Sequence, residues 1–425
     1  MAEPPPLADM RPIARCLAPL SDESLPGLVL RLAHRNSVTP ADIAIRTGLS
    51  SHRRFLAEHV SLTQLHFLEQ HRIEAFAHIA RLSHREAADL FLAPLGPRYG
   101  PISPELTPRM PGRMLYNNRW VFSHWSRYCP QCLAGDSTIE HLHGGSWKRH
   151  WRLPPVFACP EHRCLLRHVC PSCSQPALIV QGISLVPRPR DGELHPTQCR
   201  AEAVVSSAGE FRSVCGRRLD QAPPVACPPH LLERFLALQQ RFLHLLSPDG
   251  PEQTMSVGWA VSAPQYFLDL KALTGILTLT WPAARSLAGD RELGLILDED
   301  AERRLLHLHE LRKRPGKKHF SRALTDPAPD PLAFAACSAI ADTILSADSS
   351  DAALEMLSPV LRALGQLTEF ARALASTLRH ARSMSLPLRI VLVHEQAATP
   401  KLVANYRPPL NGPGLPRISG GKRRA

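Results

Sequence analysis

Apolar residues recur at helical spacing along most of the chain. Leu25, Leu28, Val29, Leu32 and Ala33 form an i, i+3, i+4, i+7 stripe behind Asp22, Glu23 and Ser24. Proline is tolerated in a first helical turn, so Pro26 places the start of this helix near Ser24. A second helix is predicted from Pro40 to Arg46, ended by Gly48, Leu49 and Ser50, with another beginning near Ser51. Ala44 and Gly48 have the spacing of a helix-turn-helix turn, where a small residue and a left-handed glycine let two helices cross. Arg54 stands where the second helix of that motif would want an apolar residue, so an ordinary helical hairpin is an equal reading. Segments 62–82 and 83–92 complete this helical region, which Pro94, Pro97, Pro101 and Pro104 close. From 228 onward Leu231, Phe235, Leu238, Phe242 and Leu245 make a new amphipathic stripe, ended by the turn residues Ser247 to Pro251. Segments 266–279, 301–311, 332–345 and 352–382 read likewise.

Residues 109–220 carry no such stripe and are short-patterned, rich in Cys, His, Trp and Arg. Three close pairs occur in order: Cys129-Pro-Gln-Cys132, Cys159-Pro-Glu-His162 and Cys170-Pro-Ser-Cys173. Two donors separated by two residues can turn about a knuckle and share one tetrahedral ion. The first two pairs make a closed set of three cysteines and one histidine: Cys129, Cys132, Cys159 and His162. Cys170 and Cys173 need two further ligands. Cys199 and Cys215 are the favoured candidates, since Gly216 follows Cys215 as glycine follows many knuckle thiolates; His195 and the Cys227/His230 pair are the alternatives. One such pair is readily explained by buried inert cysteines, three consecutive pairs are not. Four protein donors leave no open position for water, so two structural zinc ions are expected, serving folding and not catalysis. Cys16, Cys164 and Cys337 have no partner at ligand spacing and read as buried apolar residues.

The expected fold is therefore mainly α with a small irregular or β zinc-ribbon module. A helical region spans 1–108, tandem zinc fingers 109–225, a helical domain 226–400 and a basic, disordered tail 401–425. No internal repeat of fixed period is visible.

Composition sharpens this picture. The chain has 425 residues, 41 prolines, a formal net charge of +12 and a pI near 9.5. Positions 109–218 hold fifteen Lys/Arg against seven Asp/Glu, a large share of that excess. Such a bias suits a polyanionic partner, although an arginine-rich proteome gives the same totals. Met1 to Ala8 lacks the apolar core of a signal peptide, and no run of about 18 apolar residues exists, so a cytoplasmic chain without membrane spans is expected. In a reducing compartment the eleven cysteines read as metal ligands and not disulfides.

Basic and aromatic residues alternate around the first set. Arg113, Arg119 and Arg127 interleave with Tyr116, Trp120, Trp125 and Tyr128, and Trp147, Lys148, Arg149, Trp151 and Arg152 follow. These arginines and Lys148 are the candidate nucleic-acid contacts, through phosphate pairing beside stacked rings. The competing reading makes the four tryptophans the scarce core of a small zinc fold.

These residues resemble the TniQ/TnsD family of transposon target-selection proteins. Leu20 to Leu25 with Arg31, Leu32, Ala33 and Asn36 looks like the family's opening helix. Arg127-Tyr-Cys-Pro-Gln-Cys-Leu133 looks like its Cys-Pro-x-Cys-Leu hallmark, and Trp151 to Pro154, Cys159 to His162, Leu165 and Cys170 to Cys173 keep its order over roughly residues 15–220. Cys215-Gly-Arg-Arg-Leu219 keeps the end of the second zinc unit, but Arg212 stands where its partner thiol would be, and Cys199 is the substitute across a longer loop. The resemblance implies a non-catalytic adaptor in cut-and-paste transposition. Such an adaptor recognises DNA or a CRISPR effector, and connects that target to an AAA+ ATPase that recruits the DDE transposase. The resemblance also admits a homodimer. The basic loop at 312–319 lies in the half of the chain without a match and is a candidate DNA contact.

Other classes compete with this one. A zinc-containing DNA-binding transcription regulator not linked to transposition would use the same modules, and neighbouring genes would tell the two apart. A zinc hydrolase or nuclease would need an open metal position with a general base, or clustered acids, and the pairs offer no His-Glu-x-x-His arrangement. A purely protein-binding scaffold would leave the basic excess without a DNA role.

Overall fold

The computed structural model describes residues 11–50, 63–103, 118–121, 123, 125–179, 185–202, 214–313 and 324–397. The first helix, α1 (Leu25–Asn36), begins where the stripe places it. Ser24 caps it by accepting from the Gly27 N–H at 3.3 Å, Pro26 sits in the first turn, and every residue from Leu25 to Ala33 is buried. Arg31 within it forms a buried ion pair with Glu23 at 2.8 Å. Helix α2 (Pro40–Arg46) opens with a reciprocal capping box between Thr39 and Asp42. The second helix of a helix-turn-helix would fall in 51–62, outside the described residues.

The long helix read over 62–82 is broken into α3 (Thr63–His66) and α4 (Gln70–Ala80). The Leu65 carbonyl accepts from Leu92 N–H at 3.2 Å, a tertiary bond in place of a continued helical ladder. Helix α5 (His84–Ala88) follows, with a Ser83/Glu86 capping box.

The Cys/His segment contributes α6 (Pro130–Ala134) and the hairpin of β1 (Ala158–Cys159) with β2 (Cys164–Leu165). The remainder is helical: α7 (Pro229–Leu246), α8 (Ala263–Thr280), α9 (Arg291–Arg312), α10 (Pro331–Leu345), α11 (Ser350–Leu364), α12 (Glu369–Arg379) and α13 (Leu386–Ala397). The single segment read over 352–382 is two helices, because Thr368 caps a new start after Gly365. A hairpin of β3 (Gln253–Ser256) and β4 (Trp259–Ser262), with positive φ at Val257 and Gly258, has no counterpart in the sequence pattern. Helix α8 is buried nearly all round and its Asp269 carboxylate accepts from Ser256 Oγ and Ser385 N–H, both at 2.8 Å. Burial raises the pKa of that carboxyl.

The fold is mainly α with small strand pairs. One apolar cluster runs from Ile13 through the cysteine segment to Leu392. No helix among the described residues is long and apolar enough to cross a membrane.

Candidate metal centres

The first centre is assembled from two knuckles. Tyr128 and Arg167 exchange backbone hydrogen bonds at 2.8 Å, which fixes the extended approach to Cys129. Pro130 then starts the short turn of α6, and that turn brings Cys132 back beside Cys129. On the other side β1 ends at Cys159, a tight turn with Arg163 at φ 46° reverses the chain, and His162 lies in that turn. Cys132 Sγ and Cys159 Sγ are 3.6 Å apart, and His162 Nδ1 lies 3.6, 3.2 and 3.4 Å from the sulfurs of Cys129, Cys132 and Cys159. Zinc–thiolate bonds of about 2.3 Å set a tetrahedral edge of about 3.8 Å, slightly less toward nitrogen. The donor atoms therefore sit at the corners that a four-coordinate ion requires.

The close approach of this knuckle to the following loop depends on Gly145. A Cβ at that position would lie 1.9 Å from the Cys132 carbonyl oxygen, so no other residue fits without displacing the ligand backbone.

The second centre is closed over a longer distance in sequence. Residues 198–202 and 214–218 run antiparallel, with bridges between Gln198 and Arg218 and between Glu202 and Val214. Cys215 N–H donates to Ala201 O at 2.9 Å and Gly216 N–H to Cys199 O at 3.0 Å. This pairing sets Cys199 beside Cys215, and both face the Cys170/Cys173 knuckle, with Cys170–Cys215 and Cys173–Cys199 sulfur separations of 3.8 and 3.7 Å. Both groups, Cys129, Cys132, Cys159 and His162, and Cys170, Cys173, Cys199 and Cys215, are able to hold a metal ion. The alternative ligands are elsewhere: His195 Nδ1 bonds Thr197 Oγ1 at 2.8 Å, and His230 faces Asp290 and Glu292 at 3.0 and 3.4 Å. Arg212 lies outside the described residues.

The thiols of the first centre titrate as a coupled group. Contacts with Cys132, Cys159 and Cys164 pull the Cys129 thiol pKa down, while contact with Cys129 pushes those of Cys132, Cys159 and Cys164 up. Crowded sulfurs thus hold little negative charge among themselves, and metal binding at such a group releases protons. All eleven cysteines are free of disulfides.

The basic residues predicted around this centre have mixed fates. Arg127 is buried, donating to the carbonyls of Leu153, Pro154 and Val156 at 3.2, 2.7 and 2.8 Å and to Ala328 O at 3.2 Å. Arg152 is buried too, bonded to Ser123 O at 3.1 Å and Leu178 O at 3.4 Å. Both guanidinium groups, expected from the sequence to contact phosphate, are thus enclosed by carbonyls in this conformation. Arg149 is largely covered and pairs with Asp22 and Asp89. Lys148 lies 3.7 Å from Glu161, and Arg119, about one-third exposed, packs over the Trp125 ring and pairs with Asp326 at 3.8 Å. Arg113 and most of the 312–319 loop lie outside the described residues. Trp120, Trp147 and Trp151 are core residues, with Trp147 Nε1 donating to Pro196 O at 3.1 Å, while Trp125 is half-buried.

Sequence spacing missed Cys164. It is half-buried, and its sulfur lies 3.7 Å from Cys129 Sγ, so it is part of the surroundings of the first centre and not an isolated apolar residue.

Comparison with known proteins gives one family. Residues 14–166 match the family model described as TniQ, a stretch that begins ahead of α1, includes both knuckles of the first centre and stops short of the second. No curated protein and no solved structure matches the chain. Residues 14–166 thus form a TniQ-like domain within the longer chain.

Proposed function

We propose that the protein is a non-catalytic accessory factor of transposition that helps to select the target site. It binds DNA or a target-bound complex and recruits an AAA+ ATPase, through which the DDE transposase is engaged. The observation that carries this reading is the TniQ match, because it coincides with the unit in which α1 is built onto the first centre. Ser24 N–H donates to Trp147 O at 2.8 Å and Arg149 N–H to Asp22 O at 2.7 Å, joining the helix entry to the loop between the two knuckles. Both centres hold structural zinc. Their donor sets, three cysteines with a histidine in one and four cysteines in the other, are those of closed zinc sites, and four protein donors leave no position for a reacting water. Arg119, Lys148, Arg113 and the 312–319 loop are the proposed DNA contacts, consistent with a formal charge of +12.

Footprinting on target DNA, with and without an AAA+ ATPase encoded beside the gene, tests the proposal. Protection by this protein that extends when the ATPase and ATP are added is the expected result. Absence of any association with the ATPase, on DNA or off it, overturns the reading.

A further inference from the structure

The β1–β2 hairpin does more than carry Cys159. Its register pairs Cys159 directly with Cys164, so the chain returns to the first centre two residues after His162. There the Cys164 sulfur stands 3.7 Å from Cys129 Sγ. That separation is far longer than the roughly 2.05 Å of a disulfide and close to the edge of about 3.8 Å between two thiolates on one tetrahedral ion. Cys164 thus stands outside the group of four donors able to hold the ion, against one of its corners. His162 is the single neutral donor of that group, and it lies on the tight turn that leads into Cys164.

Resting on the reading that this centre holds zinc, we propose that Cys164 is a reserve ligand of the first centre. When His162 leaves the ion, the Cys164 thiol releases its proton to solvent and its thiolate takes the vacated position. One metal–nitrogen bond breaks, one metal–sulfur bond forms, and no redox change occurs. Thiolate is the softer and more strongly donating ligand, so the resulting four-sulfur set retains the ion. A transient detachment of His162 then ends in recapture and not in metal loss.

Cobalt(II) replacement in the full chain tests this, because thiolate-to-metal charge-transfer absorption grows with the number of cobalt–sulfur bonds. The wild-type protein has seven such bonds when both centres are filled through their assembled donors. His162→Ala is expected to keep two ions per chain and to gain charge-transfer intensity equivalent to one further bond. His162→Ala combined with Cys164→Ala is expected to lose that gain. His162→Ala with unchanged or reduced intensity, or with one ion per chain, overturns the proposal. Should His162→Ala fail to fold, Cys164→Ser in an otherwise native centre gives a second measurement. Transfer of one of its two zinc ions to a chelator should speed up by about tenfold, the lower end of what a lost supporting group costs a metal site. An unchanged rate overturns the proposal while the zinc reading stands, whereas wild-type protein without metal overturns both.

Discussion

The side-chain oxygen of Gln239 accepts hydrogen bonds from the backbone N–H groups of both Phe157 and Ala158, at 2.6 and 2.9 Å, while its Nε2 donates to Pro155 O at 3.2 Å. Gln239 lies on α7 and is fully buried. The strand that ends at Cys159 is therefore held by a helix more than seventy residues later in sequence, and the helical C-terminal half acts as a buttress for the first centre. Phe157 adds to this by packing edge-to-face on Phe235 and Phe242 of the same helix.

Gln239→Ala removes the acceptor shared by two buried N–H groups. Leaving them unpaired costs about 2–4 kcal/mol. The expected outcome is a lower urea midpoint together with faster zinc release from the first centre, measured with a chelating dye. A midpoint that falls with no change in release rate would mean that α7 supports the fold without supporting the metal.

Gly145→Ala attacks the same centre from its other side. The added methyl group would meet the Cys132 carbonyl at 1.9 Å, a clash that moves the ligand backbone. Elemental analysis should give one zinc per chain for this variant against two for the wild type. Two tightly held ions in the variant would show that the loop yields and the knuckle does not.

Much of this was legible because it is local. Ser24, Pro26 and the stripe behind them define α1 within a single turn of sequence, and the Cys129/Cys132 and Cys159/His162 spacings name the first centre unaided. The second centre was legible only as a candidate set, because Cys199 meets Cys215 through backbone pairing across the 203–213 stretch. Cys164 was missed since ligand spacing looks for donors three residues apart, and a cross-strand register brings it in instead. The breaks at 67–69 and 365–368 carry no proline, so periodicity ran through them; a bond from Leu92 and a threonine cap decide them. Arg127 and Arg152 look like surface charge in sequence, and nothing nearby in the chain announces the carbonyls that enclose them.

Metal removal should loosen a defined part of the chain. Within the cysteine segment the regular elements are two-residue strands and a five-residue helix, so ions bound at the two centres would add constraints that so few hydrogen bonds do not. Chelation, or Cys129→Ser with Cys132→Ser, should raise hydrogen exchange across 126–178 most strongly, with α8 and α10 protected longest. Uniform exchange throughout would show that the whole molecule unfolds with its metal.

Acid should destabilise the junction between α1 and the zinc units. Burial lowers the pKa of His150 to about 4, against the opposing pull of Asp22, and burial with the neighbouring Arg218 lowers that of His195 to about 4. Both fall below the ordinary value near 6.5, so the folded state binds fewer protons than the unfolded state between these limits. Stability contributed by these groups is present above about pH 6.5 and is lost as pH falls toward 4. His195→Gln should flatten the fall in urea midpoint between pH 7 and pH 5, with metal content checked at each pH. An unchanged slope would assign the acid sensitivity to other groups.

The two kinds of arginine near the first centre should separate in a DNA-binding experiment. If the basic surface touches phosphates, affinity for duplex DNA falls steeply with added salt, and each lost contact lowers the slope of log K against log salt by about one. Arg119 is accessible over Trp125, and Lys148 lies at the edge of the first centre, so Arg119→Ala and Lys148→Ala should weaken binding evenly across sequences and reduce the slope. Arg127→Ala should behave otherwise. It leaves four carbonyls of the interior without their donor, at a cost of about 3 kcal/mol or more, and should lower the thermal midpoint. Residual folded Arg127→Ala protein should bind DNA with an unaltered salt slope, because its guanidinium is committed to the backbone. A reduced slope in that variant, with stability intact, would place Arg127 on the nucleic acid after all and require the carbonyl cage to open on binding.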